Sequence, residues 1–254
     1  MAVRKRKWKT GTGIAKEAWV VDYADAKGVR RLKTFARKKE ADSFAATATV
    51  EIREGVHVAD SASVTVKEAG DLWLSTASGA GLEKSTTDQY QQHLDLHIEP
   101  FIGETKLSAL TIPAVRSFED KLREEGRSNA MVRKILISLG SLLADAQERG
   151  LTPRNPVRDM RGKRRKGTEK RQKGKLKVGK DIPTREEIKA IVKALEGRWR
   201  PLLLTAVFTG MRASELRGLS WPDVDLEKHL IHVRQRADRF NKIGQPKSEA
   251  GDRT

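Results

Sequence analysis

The stretch TGMRASELRGLSWPDVDL, Thr209 to Leu226, decides how this chain is read, because it sets an arginine where helix physics disfavours one. Just ahead of it, Pro201 opens the wholly apolar run LLLTAVF, Leu202 to Phe208. That run lacks a polar face, so it is expected to be the buried central helix of a domain. Gly210 can end it, and the next helix is expected to start near Arg212. A cation in a first turn meets the positive end of the helix dipole, at a cost of about 0.3 to 1 kcal/mol. Two readings offset this. In one, Arg212 pairs with Glu215 three residues on, a common helical arrangement worth about 0.2 to 0.5 kcal/mol. In the other, free helical amides and the guanidinium converge on one anion, which for a basic protein means a phosphate.

Working outward, the unit that holds this stretch is expected to begin near Thr184. Thr184 with Glu187 forms a capping box ahead of Ile188, Ile191, Val192 and Leu195 on one face. Before it, RDMRGKRRKGTEKRQKGKLKVGK, Arg158 to Lys180, is crowded with lysine, arginine and glycine and cannot pack a core. It is expected to be a mobile linker, read either as a solvated tether or as a segment that lies along phosphates.

From Asp60 the pattern is helical. Thr65 with Glu68 is a capping box before Ala69, Leu72 and Trp73. Ser85 with Asp88 repeats the start signal ahead of Tyr90, Leu94 and Ile98, and Pro100 is expected to end that helix. Thr111 and Pro113 open a third, with Val115, Phe118 and Leu122 inward and Gly126 beyond it. The fourth is expected over Asn129 to Arg149, with Ile135, Leu139, Leu142, Leu143 and Ala146 inward, Arg133, Lys134 and Arg149 outward, and Gly150 as the stop. Four such helices make a bundle.

At the amino terminus, AWVVDY (Ala18 to Tyr23) and VRRLKTF (Val29 to Phe35) read as a hairpin whose loop glycine, Gly28, can take positive φ. A helix over Lys38 to Glu54 backs it, with Ala41, Phe44, Ala45, Ala48 and Ile52 on one face. Arg30, Arg31 and Lys33 lie on or near the second strand. Their charges suit an edge strand protected from aggregation, and equally a strand laid in a DNA groove.

Lysine and arginine number 51 against 34 acids, a net charge of +17 that self-repels unless a polyanion supplies counter-charge. Nucleic acid fits that best, with an anionic membrane surface, ribosomal RNA or a merely soluble basic protein as alternatives. There is no cysteine, which excludes disulfides, zinc-finger motifs and thiol catalysis and fits a reducing cytosol. No apolar run approaches a membrane span, and MAVRKRKWKT lacks the apolar core of a signal peptide, so a cytoplasmic protein is expected.

Thr209 to Leu226 resembles the first conserved box of the tyrosine recombinases, the integrases of bacteriophages and transposons, where T-G-x-R-x-x-E-L precedes W-x-D-[IV]-D. Thr65 to Pro156, with its exit GLTPRNPV, resembles the helical core-binding domain of that family, and residues 8 to 54 its arm-type DNA-binding domain. The implied fold is mainly α with small β parts. It comprises an arm-type domain at 1–58, a four-helix core-binding domain at 62–157, the basic linker at 158–180, and the N-terminal half of a mixed α/β catalytic domain at 181–254.

The resemblance implies that Arg212 is the first catalytic arginine, clamping the scissile phosphate as the pentacoordinate state forms, with Glu215 in support. Leu230 to Val233 and the turn Asn241-Lys242-Ile243-Gly244 read as a β-hairpin, and Gln245 to Thr254 is similar to the family's second box. Lys247 would then be the hairpin lysine that protonates the leaving 5′ oxygen, with Lys242 as the substitute candidate. A later H-x-x-R and a tyrosine nucleophile are not matched: none of His57, His93, His97, His229 and His232 has an arginine three residues on. The tyrosines, Tyr23 and Tyr90, fall in the arm-like and core-binding-like parts. The resemblance implies site-specific recombination of double-stranded DNA at arm-type and core-type sites, by a homotetramer when intact, without metal or other cofactor. This chain is expected to bind DNA and not to cleave it alone. A non-catalytic DNA-binding regulator on the same scaffold and an RNA-binding protein are the alternatives.

Overall fold

Val3, Trp19, Val21, Tyr23 and Phe35 fall at alternate positions of three strands, and that period of two builds the first layer. The strands are β1 (Ala2–Lys9), β2 (Ala15–Ala24) and β3 (Arg30–Phe35), antiparallel in the order β1-β2-β3. β1 was hidden in the basic amino terminus, where only Val3 and Trp8 break a run of charge. The β2–β3 loop closes through Gly28 at φ 77°, with the Val29 amide donating to Asp25 Oδ1 at 2.9 Å. Helix α1 (Lys38–Arg53) packs Phe44, Ala45 and Ile52 on the face that carries Val21 and Tyr23.

This computed structural model describes all residues except 10, 12–14, 27, 161–175 and 247–250. Most of the linker expected at 158–180 therefore lies outside the described residues. The described chain is mainly helical with small antiparallel sheets, and it divides into two units, Met1–Lys163 and Arg164–Thr254. No described helix is long and apolar enough to cross a membrane.

In the first unit the sheet and α1 are followed by helices α2 (Val66–Gly79), α3 (Lys84–His93), α4 (Glu99–Ile102), α5 (Ile112–Glu124), α6 (Asn129–Glu148) and α7 (Pro156–Asp159). Trp73, Leu94, Phe118, Leu122, Ile135, Leu139, Leu142 and Leu143 form one continuous core. The Thr65 box is made as expected, the Thr65 amide reaching Glu68 Oε2 at 2.7 Å and the Glu68 amide reaching Thr65 Oγ1 at 3.2 Å.

Two helix signals failed. Ser85 and Asp88 sit inside α3, because Glu83 is the extended residue ahead of the helix and its carbonyl already accepts the Thr86 amide. Nor does Pro100 stop the run. A π-turn over Leu94–Ile98 shifts the hydrogen-bond register, and Pro100 falls in the first turn of α4, where a missing N–H is tolerated.

The second unit contains α8 (Arg185–Ala194), capped by Thr184 and Glu187 as expected, then α9 (Arg200–Thr209) and α10 (Ala213–Gly218). Contrary to expectation, α9 has no buried residue, and Phe208 is 76% exposed. A helix apolar on every side needs cover on every side, and the described residues of this unit supply it on few. Strands β4 (Val224–Asp225) and β5 (Leu230–Ile231) pair antiparallel, as do β6 (Arg236–Ala237) and β7 (Ile243–Gly244). The hairpin thus differs from the expected one: Ile243 and Gly244 are strand, and the turn is Asp238 to Lys242, closed by Asp238 carboxylate bonds to the amides of Phe240 and Lys242.

Candidate functional site

The chain turns sharply between α9 and α10 because Gly210 adopts the left-handed conformation, φ 63°, and donates its amide back to the Ala206 carbonyl. Arg212 follows as the extended residue before α10, and Glu215 is on that helix's first turn. The Glu215 side chain is almost fully buried, and its two oxygens collect the surrounding donors. Oε2 accepts the Arg212 backbone amide at 2.9 Å, and Oε1 accepts Arg212 Nη1 at 2.8 Å.

Arg253 adds a second guanidinium, with Nη2 at 2.8 Å from Oε2 and Nη1 at 3.4 Å from Oε1. These bonds hold the Glu215 carboxyl down to about 2: the Arg253 hydrogen bond is the largest cause, burial opposes it, and the Arg212 bonds reinforce it. The first of the two readings of Arg212, pairing with Glu215, is therefore realised. The Arg212 amide, occupied by the same carboxylate, is not among the donors open to an anion. What remains available is the guanidinium, whose side chain is 64% exposed although one nitrogen is held.

Lys247, the expected proton donor, lies outside the described residues. Lys242 ends the turn between β6 and β7, its amide on the Asp238 carboxylate at 2.9 Å.

In the first unit the sequence-derived cations separate by face. Residues opposite one another in an antiparallel pair share a face, so the register puts Arg31 and Lys33 with Val21 and Tyr23 on the α1 side. There Arg31 Nε bonds Asp25 Oδ2 at 2.9 Å, and Lys33 Nζ bonds Asp60 Oδ2 at 2.6 Å while lying 4.4 Å from the centre of the Phe44 ring. Arg30 is on the opposite face, bidentate to Asp22 at 2.9 and 2.6 Å. Arg4, Arg6, Trp8 and Lys16 share that face, and Arg4 shares the Asp22 carboxylate at 3.2 Å. These β1 side chains escaped the sequence reading. Their signal was the alternation of Val3, Lys5 and Lys7 with Arg4, Arg6 and Trp8, masked by charge at every position but two. Arg133 and Lys134 are exposed on α6.

Residues 183–250 match the model of the phage integrase family. The chain is 32% identical over 131 residues to prophage integrase IntR of Escherichia coli K12, covering 52% of this chain and 29% of that protein. It is 28% identical over 200 residues to a XerC-like tyrosine recombinase of Caldanaerobacter subterraneus, covering 78% of this chain and 50% of that protein. The chain thus spans half or less of these relatives' lengths. Among solved structures, a lambda integrase tetramer bound to a Holliday junction is similar in fold, with a TM-score of 0.53 at 19% identity over 94% of this chain and 67% of that one.

Proposed function

We propose, from the premise that the chain is homologous to the tyrosine recombinases of the phage integrase family, that it serves site-specific recombination and integration of DNA from a phage or mobile element. The single observation that carries the reading is Arg212: an exposed guanidinium held from behind by a buried carboxylate at 2.8 Å. A guanidinium so held presents its remaining donors in a fixed direction, which suits a phosphate oxygen about to gain charge. Glu215 orients it. Lys247 is the proposed proton donor, Lys242 its substitute.

The remaining basic surfaces position the duplex. Residues 1–58 form the arm-type domain and 62–157 the core-binding domain, joined by the 158–180 linker to the catalytic part at 181–254. Arg30 with Arg4 and Arg6 on the open sheet face is proposed to contact the arm site, and Arg133 with Lys134 on α6 the core site. The intact protein is proposed to act as a homotetramer on two DNA sites.

A second reading is supported by the tyrosines. Tyr23 is buried with its hydroxyl 3.1 Å from His57 Nε2, and Tyr90 is stacked on Trp73 at 4.4 Å between ring centres. Neither is placed as a nucleophile, which favours DNA binding without cleavage by this chain alone.

Duplexes enriched from a random pool by the chain, then mapped by phosphate ethylation, test the reading. One phosphate is expected whose ethylation weakens the wild type but not Arg212→Gln, with that variant binding about tenfold more weakly. Absence of any Arg212-dependent phosphate would leave only the regulator. An RNA duplex that competes better than DNA would replace both, and a covalent adduct on nicked enriched DNA would show that the chain cleaves.

A further inference from the structure

Arg253 lies beyond residues 183–250, the span that matches the family model, yet it grips Glu215 with both terminal nitrogens. Its backbone is fixed as firmly as its side chain. The Val233 amide donates to the Arg253 carbonyl at 2.7 Å, and the Arg253 amide returns to the Val233 carbonyl at 3.3 Å. Nη1 also reaches the Gly251 carbonyl at 3.2 Å. The guanidinium is therefore delivered to Glu215 from a β-bridge far along the chain, not from the helix that carries Arg212.

Charge decides what this does. Arg212 and Glu215 alone form a neutral pair, and a carboxylate with both oxygens free for Arg212 would compete with any incoming anion. With Arg253 added, two guanidinium groups share one carboxylate and the cluster carries a net charge of +1. Geometry agrees: Arg253 takes up part of both oxygens, and the Arg212 side chain is held through Nη1 alone. Its Nε and Nη2 have no hydrogen-bond partner among the described residues, out of the five donors a guanidinium offers.

We infer that Arg253 is a positioning residue, which holds Glu215 so that the carboxylate orients Arg212 without cancelling its charge toward a phosphate. This rests on the reading of Arg212 as a phosphate ligand.

The Nε–Hε signal of Arg212, assigned by its loss in Arg212→Lys, reports the answer when the full chain is titrated with inorganic phosphate. Arg253→Ala is expected to weaken saturation at Arg212 about fivefold, the worth of one nearby charge at the surface. Adding Glu215→Gln to Arg253→Ala should regain about half of that loss, because the competing charge is gone while the amide oxygen can still accept from Arg212. A purely structural role predicts no such recovery, and a double variant no better than Arg253→Ala overturns the inference. So does Arg253→Ala binding like the wild type. The Val233 amide signal reports whether each variant keeps its β-bridge. If Arg253→Ala loses it, Arg253→Lys carries the test, with a loss of about twofold expected from its missing second donor; wild-type affinity in that variant overturns the inference. An Arg212 signal that phosphate does not move in the wild type fails the phosphate reading itself, and the inference falls with it, whereas a moved signal indifferent to position 253 fails the inference alone.

Discussion

Glu215 has its carboxyl lowered from 4.5 to about 2 in the folded chain, so its contribution to stability has a definite pH window. A carboxylate with a depressed folded pKa stabilises fully above the unfolded value and loses that contribution as pH falls through the folded one. For Glu215 the loss runs from about 4.5 down to about 2 and amounts to on the order of 3 kcal/mol. Hydrogen exchange at the Val233 amide, which bonds Arg253, isolates this part of the molecule. Protection there is expected to fall steeply with acid in the wild type, and Glu215→Gln should begin less protected at neutral pH with a flatter acid limb. Parallel limbs would assign the acid sensitivity to another group. The pairing of Arg212 with Glu215 was legible in the sequence because the residue just before a helix and an acid three positions on, in its first turn, lie within reach of one another. The part of Arg253 was not: it stands in the segment similar to the family's second box, but its partner lies 38 positions away and no spacing rule joins the two.

At the scale of elements, what the sequence revealed and what it hid divide by the range of the forces involved. The boxes at Thr65 and Thr184 and the stops at Gly150 and Gly210 depend on atoms within a few residues, and these formed where their residues stand. The π-turn over Leu94–Ile98 answers to packing around Leu94 and Ile98, both fully buried, and no spacing rule announces it. Burial of α9 likewise depends on neighbours rather than on its own composition. Gly218, at the end of α10, shows how tightly such a neighbour can constrain a position. A Cβ there would lie 2.6 Å from Arg236 Cα and 2.8 Å from the Ala237 amide nitrogen, both rigid backbone of β6. Gly218→Ala must therefore push β6 outward, stretching the bond from Gln235 Nε2 to the Gly218 carbonyl, now 2.7 Å. A loss of about 1 to 3 kcal/mol is expected, measured as reduced protection of amides in β6 and β7. Unchanged exchange would mean that the hairpin yields freely.

Over the whole molecule, a net charge of +17 says that a polyanion is favoured but not where it lies, and the distribution of acids narrows the choice. On the α1 side of the amino-terminal sheet, Arg31 and Lys33 are bonded to Asp25 and Asp60, and Lys33 also covers Phe44. Both charges are thus answered within the chain. On the opposite face Asp22 is shared by Arg4 and Arg30, so one acid answers two arginines, and Arg6, Trp8 and Lys16 complete a basic surface with an aromatic ring in it. Only cations that neutralise phosphates release counterions, each contributing about 0.9 to the slope of log affinity against log salt on duplex DNA. The two faces therefore separate in one experiment. The double variant Arg6→Gln with Arg30→Gln is expected to lower that slope by about 2 while leaving the thermal midpoint of the chain nearly unchanged. Arg31→Gln with Lys33→Gln should do the reverse, keeping the slope and lowering the midpoint, because the first change leaves the buried Asp25 carboxylate without its cation and the second uncovers Phe44. A slope that falls equally in both variants would return Arg31 and Lys33 to the DNA-contacting surface and set aside the division by face.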